Sequence, residues 1–184
     1  MYKTLLKSIG ANNDILHEVA KKDDIKRIRE LSTYKGFNVD VLRRHDQKTA
    51  LYIVADKGNF NAAKELIKWG ADVNWKYFDE TTALHLATQK NNLDIVKLLI
   101  KNGANPNIKT DTDLGQVTAL IDASSRGYVE VVTELLKSKD IDINDIDSRG
   151  NTALMYATAN HNLESVHILA DYVGIKLRQT NKEE

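Results

Sequence analysis

The tripeptide Thr-Ala-Leu occurs at Thr49–Leu51, Thr82–Leu84, Thr118–Leu120 and Thr152–Leu154, in steps of 33, 36 and 34 residues. A second phrase recurs in register with it: GADVN at Gly70–Asn74, GANPN at Gly103–Asn107 and a degenerate DIDIN at Asp140–Asn144. No other feature constrains the fold as much. A unit of about 33 residues cannot bury a core alone, so its copies must stack. The chain is read as a repeat array.

Each unit reads as helix, turn, helix and extended arm. Thr49, Thr82, Thr118 and Thr152 suit the N-cap of a first helix, because a Thr oxygen accepts an orphan amide hydrogen bond. Gly58, Asn91, Gly127 and His161 stand nine residues on and are predicted to end it in the left-handed conformation. The second helix is clearest at Leu93–Asn102, where Asp94, Lys97 and Lys101 form one wet stripe. Leu93, Ile95, Val96, Leu98, Leu99 and Ile100 cover the rest, so this helix is expected to be buried on most sides. Gly70 and Gly103 close the second helix, and a hairpin-like turn leads on to the next Thr-Ala-Leu.

These phrases resemble the ankyrin repeat, whose pattern runs T-P-L-H-x-A, a helix-ending Gly, a Val/Leu-rich helix, then G-A-D-V-N. The stretch TALHLATQKNNLDIVKLLIKNGANPN, Thr82–Asn107, is very close to it, and the likeness covers roughly residues 14–173. It implies an all-α ankyrin-repeat solenoid of helix-turn-helix units joined by β-hairpin-like loops. The expected division has an extension at 1–13 and a divergent capping unit at 14–43, in which Leu16 and Ala20 match Leu51 and Ala55. Further units follow at 44–76, 77–112 (with an extended hairpin), 113–146 and 147–173, then a polar tail at 174–184. The family's Pro after the capping Thr is Ala50, Ala83, Ala119 and Ala153 here; Ala is a strong helix former, so the helix survives. The family's turn Gly is replaced by Gln47, Glu80 and Gln116, and three hairpin tips are expected to depart from the usual turn.

Composition and motifs remove several functions. With no cysteine there is no disulfide scaffold, thiol nucleophile or Cys-ligated metal, and the longest apolar runs are too short to span a bilayer. The opening MYKTLLKSIG does not read as a secretory signal, because Lys7 breaks its apolar stretch. No phosphate loop, dinucleotide loop, nucleophile elbow or H-E-x-x-H occurs. His17 and His85 stand at the family's T-P-L-H histidine, which makes structural hydrogen bonds between units; His161 ends a helix and His167 shares a solvated stripe with Glu164 and Asp171. The acidic stretch DIDINDID, Asp140–Asp147, invites a calcium reading in which Asp145, Asp147 and the later Gly150 fit loop positions, but Arg149 and Tyr156 stand where oxygen donors are required. No catalytic residue, metal site or cofactor is predicted.

The 26 basic and 26 acidic side chains balance, which argues against a dedicated nucleic-acid or membrane binder. Their distribution is uneven: +4 over residues 1–44 (10 basic, 6 acidic), +2 over 45–110 (9 and 7) and −6 over 111–184 (7 and 13). A stack spreads these along one axis, so the molecule is electrically polar end to end. The resemblance implies binding of a partner protein through hairpin tips and first helices. It places there Ile53, Asp56, Lys57, Leu86, Gln89, Lys90, Asp122, Arg126 and Tyr156 from helices, and Phe78, Asp79, Leu114 and Arg149 from tips. Trp75-Lys76-Tyr77-Phe78 has the aromatic density of a binding hot spot, unless Trp75 packs on its own neighbours. Ile53, Leu86, Asp122 and Tyr156 share one place per unit and are expected to line a groove, where Asp122 must face water or a donor.

The extra residues of the 36-residue step are assigned to a finger at Lys109–Val117. At the other end Leu163–Val173 carries few charges, and Ile175 and Leu177 are expected to fold back over it, or a partner to cover it. The function expected is a non-catalytic, cytoplasmic protein-interaction module, monomeric unless that end self-associates. The alternatives are an effector acting in a host cell or a regulatory subunit of an enzyme complex.

Overall fold

The computed structural model of the chain describes residues 14–111 and 115–180, those from 173 on by backbone alone. Among them ten helices follow in five pairs: α1 (Ile15–Lys21) with α2 (Ile25–Ser32), α3 (Ala50–Lys57) with α4 (Phe60–Lys68), α5 (Ala83–Gln89) with α6 (Leu93–Lys101), α7 (Ala119–Arg126) with α8 (Val129–Leu135), and α9 (Ala153–Ala159) with α10 (Leu163–Thr180). The first helices pack side by side as one row, α1 to α9, and the second helices as another, α2 to α10. This is the two-layer all-α solenoid expected of the repeats.

The repeated phrase builds each first helix. Thr49, Thr118 and Thr152 accept the amides of Tyr52, Ile121 and Met155, while the Thr82 amide donates to His85 Nδ1 at 3.2 Å. The Ala after each Thr is buried, and so small a side chain lets neighbouring helices approach. Leu51, Leu84 and Leu120 of the phrase are buried between the rows with Leu66, Leu99 and Leu135 of the second helices. The four predicted stops hold: Gly58 and Gly127 take φ of 79° and 69°, Asn91 and His161 take 52° and 57°. On α6 the burial is narrower than expected. Ile95, Val96 and Leu99 are fully buried, whereas Leu93, Leu98 and Ile100 are half-buried.

Polar ties join the units. His17 Nε2 donates to the Lys48 carbonyl of the next unit at 3.0 Å, whereas His85 Nε2 donates at 3.0 Å to the Ile108 carbonyl, in the arm of its own unit 77–112. The Asn that ends each G-A-x-x-N phrase works in both directions. Asn74 accepts the Asn105 amide and donates to the Gly103 carbonyl; Asn107 accepts the Asp142 amide and donates to the Asp140 carbonyl. Asp40 holds the same place in the first unit and accepts the Asp72 amide.

Backbone bonds from Arg43 to Lys48, Tyr77 to Thr81, Thr110 to Val117 and Asp147 to Asn151 close the four hairpins. Thr110 and Val117 are seven residues apart where Tyr77 and Thr81 are four, so the three surplus residues lie inside this hairpin. Their tip, Thr112 to Leu114, lies outside the described residues.

Two expectations require correction. Gln47 and Glu80 keep the left-handed turn, with φ of 57° and 61°, and the third hairpin supplies Gly115 at φ 94° beside Gln116. The turn tolerates a side chain at about 1–2 kcal/mol of backbone strain, because stacking determines the hairpin. At the other end, α10 continues to Thr180. The backbone therefore does not turn back at 174; the side chains of Ile175 and Leu177 lie outside the described residues.

Candidate interaction surface

The second hairpin is built around four rings. Tyr52, at the place of His17 and His85 in its own unit, meets Trp75 edge-on at 5.5 Å between centroids and Tyr77 at 5.5 Å. Tyr77 in turn carries Phe78 at 4.9 Å. The Lys48 ammonium lies over the Tyr52 and Tyr77 rings, 5.4 and 5.0 Å from their centroids. Burial comes first among the causes that hold the Tyr52 hydroxyl above its ordinary pKa, so this ring is a structural member. Trp75 and Tyr77 are half-buried against it.

Phe78 alone of the four is left in solvent, 78% exposed. Its backbone is held in the hairpin: the Tyr77 amide donates to the Thr81 carbonyl, the Asp79 side chain accepts the Thr81 amide, and the Asp79 carbonyl accepts the Asp111 amide of the next hairpin. The sequence reading missed Tyr52, which supports this tip. The aromatic residue at a place otherwise held by histidine was the available signal.

The inner helices give a different groove from the one expected. Ile53 and Leu86 are only 6% and 9% exposed, so two rungs of the proposed lining are closed floor. Their place in the helix faces inward enough for neighbouring units to cover a branched apolar side chain. Asp122 Oδ1 accepts Arg126 Nε at 2.9 Å, while its buried Oδ2 has no hydrogen-bond partner. Tyr156 donates its hydroxyl to Asp147 Oδ2 at 2.6 Å. Burial would push Asp147 up; Tyr156, Asn151 and the Arg149 amide outweigh it and hold the carboxyl near 2. Both Asp147 oxygens are thus engaged by protein donors.

The remaining predicted residues form a rim. Lys57, Lys90 and Arg126 are exposed at the ends of α3, α5 and α7; Asp56 and Gln89 beside them are half-buried. Lys90 reaches across units to Asp56 at 3.4 Å. Arg149 is exposed at the last tip, and Leu114 lies outside the described residues.

Among the described residues no group of three His, Asp or Glu could hold a metal ion, and no helix is long and apolar enough to cross a membrane. Residues 16–110 and 108–181 match the family model described as ankyrin repeats, three copies.

Proposed function

Because the chain belongs to the ankyrin-repeat family, we propose that it is a non-catalytic module binding a partner protein through its concave face and hairpin tips. Ankyrin repeats are in general protein–protein interaction modules. The observation that carries the reading for this chain is Phe78, a large apolar side chain held in water on a base of three other rings, Tyr52, Trp75 and Tyr77. Beyond its contact with Tyr77 the ring buries little, whereas a preorganised aromatic anchor lowers the ordering cost of binding. Lys76, Tyr77 and Asp79 position that anchor, and Lys57, Lys90, Arg126 and Arg149 supply charged rim contacts.

Affinity capture from native lysate with the full chain tests this. A stoichiometric protein partner is expected, held roughly tenfold or more weakly by Phe78→Ala at unchanged melting temperature. Capture of no protein, or turnover of a small molecule by the purified chain, would contradict the reading.

A further inference from the structure

The ninth residue of each unit's helix-opening phrase is Lys22, Lys57, Lys90 and Arg126 in the first four units and Asn160 in the fifth. All four basic residues are exposed at one structural place, the C-terminal end of an inner helix. Lys22 and Lys57 have no ion-pair partner among the described residues. Lys90 engages Asp56 in a pair exposed on both sides, of the kind that contributes little net energy and is readily exchanged. Arg126 stays paired with the largely buried Asp122 and offers a partner only its exposed guanidinium edge. The inner helices with their C-caps carry five bases (Lys21, Lys22, Lys57, Lys90, Arg126) against three carboxylates (Glu18, Asp56, Asp122). The helix dipole favours a base at any such end, and the outer helices have Lys68 and Lys101 at theirs. What distinguishes the inner set is its place, in line along the face proposed to take the partner.

Resting on that reading, we infer that this rim docks an acidic, extended segment of the partner protein, with acidic side chains at every third position. Packed helices lie about 8–10 Å apart, which sets the interval between rungs. An extended peptide rises about 3.3 Å per residue, so three residues advance roughly 10 Å, one rung. A segment with Asp or Glu at i, i+3, i+6 and i+9 meets all four bases, and its ends are oriented by the neutral Asn160 rung.

The test is peptide display on the immobilised full chain, with random peptides of about twelve residues, long enough when extended to cross four rungs. Enriched peptides are expected to carry acidic residues three apart. Their affinity should fall about tenfold or more on the double variant Lys57→Glu and Lys90→Glu, and with added salt. It should hold on Lys64→Glu with Lys97→Glu, an equal charge change on exposed sites of the outer helices α4 and α6. Enrichment without acidic periodicity, no enrichment, or equal loss on both double variants would overturn the inference. So would rim-dependent binding confined to a labelled single-stranded oligonucleotide. The capture experiment stands apart: a captured protein with no acidic selection rejects this inference alone.

Discussion

Burial holds the His85 imidazole at about 4, well below the ordinary 6.5, and keeps it neutral between the Thr82 amide and the Ile108 carbonyl. Above pH 6.5 this contribution to stability is complete. As pH falls from 6.5 toward 4 the unfolded chain takes up a proton that the folded imidazole refuses, so stability drops by up to ~3 kcal/mol. Urea melts across that window should show the loss, and His85→Gln should flatten the curve. Asp40 behaves oppositely: burial raises its carboxyl, and it cannot donate where Asn74 and Asn107 do. Asp40→Asn should accept the Asp72 amide and reach the Gly70 carbonyl, adding about 0.5–1.5 kcal/mol in the same melts. Unchanged or lower stability would show that the ladder does not extend to the first unit. His17 and His85 were legible because a repeated phrase fixed their place. Tyr52 was not, because its role depends on Trp75, at the far end of its own unit, and on Tyr77 of the next.

At the level of elements, caps and turns carry the repeat. Gly127 sits at φ 69°, and a Cβ there would meet the side chain of Asn162, the residue before α10 in the next unit, at 2.8 Å. Asn162 bonds the Ser124 and Ser125 carbonyls, so it cannot move without losing them. Gly127→Ala is therefore expected to cost more than about 1 kcal/mol in denaturant melts. Leu99→Ala empties a fully buried place between the two rows and should cost about 2–5 kcal/mol, readable in the same way. A loss below 1 kcal/mol would mean that α6 repacks freely. Helix positions and their stops were readable because capping is local chemistry. The turns at Gln47 and Glu80 were not, because tertiary packing there overrides a backbone preference of one or two kcal/mol. Closure of Ile53 and Leu86 was equally hidden, since a helix position says which way a side chain points and not how far neighbours cover it.

Over the whole molecule, the stack turns a local pattern into an axis. Met155 is 54% exposed where Ile121 at the same place of the preceding unit is 1% exposed, so α9 presents uncovered what earlier inner helices bury. Three carboxyls that join or brace units are depressed: Asp46 to about 2 by Arg43, Asp147 to about 2, and Glu65 by the paired hydrogen bonds of Arg29. Their stabilisation is present above the ordinary carboxyl range and is lost as pH falls toward 2, so acid should dissolve the array below the window set by His85. The inner row and the hairpin tips are left as the face on which a partner can be read. Hydrogen exchange of the full chain with its captured partner measures this most directly. Protection gained at the hairpins around 45–48 and 78–81 and at the ends of α3, α5 and α7 is the predicted result. Protection confined to the outer helices α4, α6 and α8 would contradict it.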